Sequence, residues 1–170
     1  MSNIKIYVAN NIQTSLIALI KQLYTQDITI CINCAATHVM QESSKLLWNN
    51  RTFLPHAIDG DSPSTNFTFK EWYIRQPIFL TCTYNQARQS DPVTNTYTES
   101  HIDDQQHDDN PNNAQAYIYL DHIPEQSTDV TKIHKKPQYI IFFLAKSNPQ
   151  LEYIRNQLAS RYTAYKFYNV

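Results

Sequence analysis

The chain has 170 residues, a formal net charge of -1, one glycine and three cysteines. That length suits one domain with a single core, and the near-neutral charge offers no bulk attraction to nucleic acid. A lone Gly60 cannot supply the glycine-rich loops that cradle phosphate in P-loop or dinucleotide-binding enzymes, so nucleotide chemistry of those two kinds is excluded. No apolar run is long enough to span a membrane, and Met1 to Val8 lacks the apolar centre of a secretory signal. The odd cysteine count suits reduced thiols, and a cytoplasmic location is expected.

In chain order, Ile4, Ile6 and Val8 alternate with Lys5 and Tyr7 as in a short strand. Thr14 suits the N-cap of a helix whose apolar face is Leu16, Ile17, Ile20, Leu23 and Tyr24. Asp27 to Ile32 is β-branched and predicts a second strand, followed by a helix from about Ala35 to Trp48. Pro77 to Thr83 is a continuous apolar run, as a central buried strand requires. Ala116 to Leu120 predicts another strand, Asp121 to Lys136 a loop with weak helix, and Gln138 to Leu144 the last and most apolar strand. Ser147, Pro149 and Gln150 resemble a helix start, and the closing helix is expected to carry Leu151, Ile154, Leu158, Tyr162 and Tyr165 on one face. Alternating strands and helices predict one three-layer α/β/α domain with a mostly parallel sheet of about five strands.

Asn85 to Asn113 differs in kind. Apart from Val93 and Ile102 it has no large aliphatics, and Asp91, Glu99, Asp103, Asp104, Asp108 and Asp109 face a single basic residue, Arg88. Such a composition buries too little apolar surface to offset the entropy of ordering, so a mobile insertion is expected at about 85–115. From Lys132 onward the balance reverses: Lys132, Lys135, Lys136, Lys146, Arg155, Arg161 and Lys166 stand against Glu152 alone. A solvated helix face accounts for part of this. The interleaved aromatics of R-Y-T-A-Y-K-F-Y, Arg161 to Tyr168, also suit an acidic peptide or single-stranded nucleic acid.

Lys45 to Ala57, K-L-L-W-N-N-R-T-F-L-P-H-A, runs from a helix end through Asn49-Asn50 into an extended segment, since Pro55 pushes its predecessor out of the α region. Trp48 and Phe53 flank this corner. Either both are core, the ordinary fate of aromatics, or together they form an exposed apolar knob that marks a protein partner.

Catalytic readings are weak. Cys31-x-x-Cys34 has redox spacing, but Cys31 falls inside a predicted strand, whereas a dithiol motif opens a helix. No second pair completes a zinc site. His101 and His107 lie among aspartates, where an acidic loop is the simpler reading than a metal site. His56 has no nucleophile or carboxylate at a recognisable spacing to serve as a general base, so a structural or interface role is expected. A G-x-S-x-G nucleophile elbow cannot be written with one glycine.

L-L-W followed by F-L-P-H, then P-I-F-L, A-Y-I-Y-L-D and R-Y-x-x-Y-K, resemble in the same order the chi subunit of bacterial DNA polymerase III. The departures are the polar insertion from Asn85 and extra residues at about Asp61 to Tyr73, both in connections, where insertions cost little. The resemblance implies a Rossmann-like α/β domain without a phosphate-binding loop, no catalysis and no cofactor. It implies a heterodimer with the psi subunit of the clamp loader, through Trp48, Phe53, Leu54 and Pro55. It also implies binding of the C-terminal tail of single-stranded DNA-binding protein, with DNA reached only indirectly and no membrane contact, at the replisome on the nucleoid. The tail site falls on a helix from Arg155 to Lys166 and comprises Arg155, Arg161, Tyr162, Tyr165 and Lys166. Ala159 and Thr163 stand where the family pattern has cations, so weaker, less salt-sensitive tail binding is expected. An enzyme of Rossmann-like ancestry and a module binding single-stranded nucleic acid directly are the alternatives.

Overall fold

The computed structural model describes residues 3–49, 53–59, 74–82, 110, 112–123, 136–162 and 165–170. In chain order these form β1 (Asn3–Ala9), α1 (Ile12–Tyr24), β2 (Ile30–Cys34), α2 (Thr37–Trp48), β3 (Ala57–Ile58) and β4 (Ile78–Cys82). Then come β5 (Ala116–Leu120), β6 (Tyr139–Ala145), α3 (Leu151–Arg161) and β7 (Tyr165–Asn169). Every strand pairing is parallel, in one sheet of order β3-β4-β2-β5-β6-β1-β7.

Apolar surface on both faces of a parallel sheet must be covered, and the strand sequences show it. β2, β4 and β5 are buried at every residue, as continuous rather than alternating apolar runs demand. From β1 to β2 and from β2 to β3 the chain crosses the sheet in one direction; from β6 to β7 it crosses in the other. Because parallel crossovers are right-handed, α1 and α2 belong on one face and α3 on the opposite face. Packing agrees. Leu16, Ile20 and Leu23 of α1 and Met40 and Leu47 of α2 share a core with Ile32, Leu80, Ile118 and Phe143. Ile154 and Leu158 of α3 pack with Ile6, Val8, Tyr117 and Phe142 on the other side. The three-layer α/β/α arrangement is therefore present.

Several boundaries depart from the expectations, each for a local reason. The N-cap of α1 is Asn11, not Thr14: the Thr14 N–H donates to Asn11 Oδ1 at 3.1 Å, so Thr14 lies within the first turn. Asp27 has φ 56° and donates its N–H to Tyr24 O, which ends the helix in a turn and delays β2 to Ile30. Among the described residues the sheet has seven strands rather than about five. The two additions are the edges: β3, two residues long, and β7, which takes residues assigned above to the closing helix. α3 ends at Arg161, and its cap, Tyr162, is already extended (φ −125°, ψ 118°). The periodicity of Leu151, Ile154, Leu158, Tyr162 and Tyr165 runs past the point where the backbone leaves the helix.

The C-terminal end of the expected insertion is also a core feature. Asn110 and Asn112 are each 1% exposed. Asn110 Nδ2 donates to Ala114 O and its Oδ1 accepts from the Ala114 N–H. Asn112 Nδ2 donates to Ile30 O at 2.9 Å and Gln76 O at 3.2 Å, tying the starts of β2 and β4 to the approach to β5. The rest of that insertion, the additional residues near Asp61 to Tyr73 and most of the expected loop after Asp121 lie outside the described residues.

At the opposite end of β5, Asp121 adopts φ 58°. Its Oδ1 accepts from the Ala145 N–H at 3.0 Å and from Asn148 Nδ2 at 2.8 Å, joining the exits of β5 and β6. His122 beside it is held with its pKa below the usual 6.5, chiefly because burial disfavours the charged ring. The unfolded chain then takes up a proton first as pH falls. His122 therefore contributes nothing unfavourable above about pH 6.5 and costs stability progressively below it, down to its lowered folded value. Urea unfolding at pH 7 and pH 5 should show a decline in stability that is smaller in His122→Gln; equal declines in both proteins would contradict this.

Candidate functional site

α2 buries the stripe Met40, Ser43 and Leu47. Trp48 follows Leu47 by about a 100° step around the helix, off that stripe, and is 53% exposed. The helix ends at Asn49, whose N–H donates to Lys45 O. Ahead of β3, Phe53 is turned outward, 52% exposed, and Leu54 inward, 2% exposed. The Trp48 and Phe53 rings lie 4.8 Å apart at an interplanar angle of 49°. The exposed-knob geometry, not the core geometry, is what these two aromatics adopt.

His56 fixes the corner. Its Nδ1 lies 2.8 Å from Leu54 O, and a carbonyl only accepts, so Nδ1 carries the proton. In the neutral ring Nε2 then accepts from the Ser44 hydroxyl at 2.9 Å, linking the extended segment back to α2. The imidazole also lies 5.1 Å from the Trp48 ring, so the indole contacts both His56 and Phe53. Both ring nitrogens are engaged, which fits a structural or interface histidine. Leu54 belongs to the α1/α2 core and anchors the segment from within, out of a partner's reach; Pro55 is half-buried.

The residues assigned to tail binding are divided by the end of α3. Arg155 Nη1 is 2.9 Å from Glu152 Oε1, and its guanidinium lies 4.8 Å from the Phe167 ring centroid. Tyr162 packs 5.8 Å from Phe142 at the margin of the α3-side core, and Arg161 is half-buried. β7 pairs with β1 in the register Ile4↔Tyr165, Lys5↔Lys166 and Ile6↔Phe167. Ile4 and Ile6 face α3, so Tyr165 and Phe167 do too, whereas Lys166 and Tyr168 face the α1 side, where Tyr168 stacks on Tyr7 at 4.7 Å. The structure thus groups Arg155, Tyr162, Tyr165 and Phe167, the three rings expected to line the tail's apolar pocket among them, on one face and sets Lys166 on the other. A continuous helix from Arg155 to Lys166 is not what this sequence forms.

Cys31 and Cys34 both lie within β2, three residues apart, and so point to opposite faces of the sheet. A dithiol cannot close across the sheet. Burial pushes the Cys31 thiol well up, and it pushes Cys34 up to about 12 with a further contribution from the register partner Cys82. Maleimide should therefore label none of the three buried thiols in the native protein and all three in denaturant; rapid native labelling would show that β2 opens readily. His101 and His107 lie outside the described residues. The buried pair Asn33 and Tyr117, joined at 3.1 Å, went unrecognised in the sequence because both sit within apolar runs.

No described helix is long and apolar enough to cross a membrane. No family model matches the chain, and no curated protein matches it either.

Proposed function

We propose that this chain is a non-catalytic adaptor of the chi type, pairing with the psi subunit of the clamp loader and binding the acidic C-terminal tail of single-stranded DNA-binding protein. It reaches DNA only through that protein and works in the cytoplasm, at the replisome on the nucleoid. The observation that carries the reading is the Trp48–Phe53 pair, two large aromatics in mutual contact, half exposed, and braced by His56 on a well-packed α/β domain. Paired apolar anchors held against each other and against a hydrogen-bonded histidine are what a hot spot needs, because little ordering is left to be done on binding. Arg155, Arg161, Tyr162 and Tyr165 supply the cations and ring surface for the tail, with Lys166 set apart.

Co-expression with psi followed by size-exclusion chromatography tests the reading. A one-to-one heterodimer is expected, and a synthetic tail peptide should bind both the free chain and the heterodimer. Arg161→Ala should weaken the peptide, and Ala159→Arg with Thr163→Lys should tighten it. Separate elution of chain and psi at every concentration would overturn the proposal.

A further inference from the structure

The two sheet edges are unlike. β3 ends the sheet after two residues, a short edge that offers little to pair with. β7 is five residues long, and Tyr165, Lys166, Phe167 and Asn169 are exposed on it. In a parallel pair the N–H and C=O of one residue point to the same side, alternating along the strand. The Val170 N–H donates to Val8 O, and Val170 O accepts from the Asn10 N–H, so Val170 faces β1. By alternation Tyr168 and Lys166 face β1 as well, and Tyr165, Phe167 and Asn169 direct their N–H and C=O groups outward. These outward groups form no hydrogen bond with any described residue.

Charge borders this edge on both faces of the sheet. Arg155 lies over the Phe167 ring on the α3 side, while Lys166 lies on the α1 side. Glu152, already paired with Arg155, is the only acidic residue from Lys136 to the C-terminus. A second copy of this chain would bring these cations against their own kind. An acidic strand would meet opposite charge with either alternating set of its side chains.

We propose that the outer edge of β7 accepts an extended, acidic peptide segment of a partner protein as an eighth strand, hydrogen-bonded through Tyr165, Phe167 and Asn169. Main-chain bonds hold the segment, Tyr165 and Phe167 give its apolar side chains a surface, and Arg155 and Lys166 select its acidic ones. The site uses the edge strand and an internal segment, needs no terminal carboxylate and is independent of the Trp48–Phe53 corner. It shares Arg155, Tyr165 and Lys166 with the residues assigned to the tail, but only edge addition requires main-chain bonds from alternate residues of the ligand.

The probe is a hexapeptide alternating Asp or Glu with Val or Phe, acetylated and amidated so that neither terminus is charged. Titration into the full chain, followed by amide NMR, should shift residues 165–169 and weaken as salt rises. N-methylation of the probe at alternate residues separates edge addition from other binding: one methylation phase should lose affinity by about tenfold or more and the other should not. Phe167→Pro removes an outward N–H without touching the β1 ladder, a substitution that edge strands tolerate, and should abolish the response. Lys166→Glu, which alters no backbone group, should weaken the same probe, so a folding defect in the proline variant leaves the proposal testable. Equal loss or no loss from both methylation phases, no effect of either variant, or shifts confined to residues outside β7 would overturn it. So would tighter binding of a bare oligonucleotide at the same amides, or concentration-dependent dimerisation through β7 that excludes the peptide.

Discussion

Trp48→Ala is expected to weaken psi binding by roughly 30-fold or more, since truncating a central interface tryptophan typically costs about 2–4 kcal/mol. The fold should hardly respond. Trp48 is 53% exposed and touches Phe53 and His56 rather than the core, so removing it forfeits an aromatic contact worth about 0.5–1.5 kcal/mol. Leu54→Ala gives the opposite pattern: the side chain is 2% exposed among the α1/α2 core residues, and its loss should cost about 2–5 kcal/mol of stability. Circular dichroism and calorimetric titration on the two variants separate an exposed anchor from a buried one. Unfolding of Trp48→Ala would mean that the indole is structural and the corner is no interface.

The second large effect lies at Asn112, in a segment that looks dispensable by composition. Its side-chain amide donates to the buried Ile30 O and to Gln76 O. Asn112→Ala removes both hydrogen bonds, each worth about 0.5–1.5 kcal/mol net. For a domain of this size the thermal midpoint should fall by about 2–12 °C. Asn112→Asp should do no better, because a carboxylate accepts and cannot donate to a carbonyl. By contrast, replacing 85–109 with a short Gly/Ser linker should leave the midpoint nearly unchanged, while extending the replacement through Asn113 should not. Equal midpoints for both linker variants would show that the Asn112 contacts add nothing.

The readable part of the fold was the interior of the sheet. C-I-N-C after Ile30, I-F-L-T-C, A-Y-I-Y-L and Y-I-I-F-F-L are continuous apolar runs, and a parallel strand covered on both faces has no other signature. The edges were not readable in the same way. β3 is too short to show a period, and β7 follows α3 with aromatics that continue the helical spacing; only the extended backbone at Tyr162 separates the two. Asn110 and Asn112 escaped notice because a polar residue buried to cap strand starts looks, in sequence, like any other loop asparagine.

The corner was half legible. That Trp48 and Phe53 flank a break follows from Asn49-Asn50 and Pro55, but their exposure depends on which residues take the inward positions. Leu47 and Leu54 take them, and Trp48 and Phe53, each adjacent in sequence, are turned out. The brace by His56 joins residues twelve apart through a tautomer that no spacing rule foretells.

The chain has two tryptophans, so Trp72→Phe leaves Trp48 as the single indole fluorophore. Titrating psi into that variant while following emission and quenching by iodide reads the corner directly. A blue shift and protection from iodide that saturate at one equivalent of psi are expected, both lost in a further Phe53→Ala variant. An unchanged emission maximum and unchanged quenching at saturating psi would contradict it.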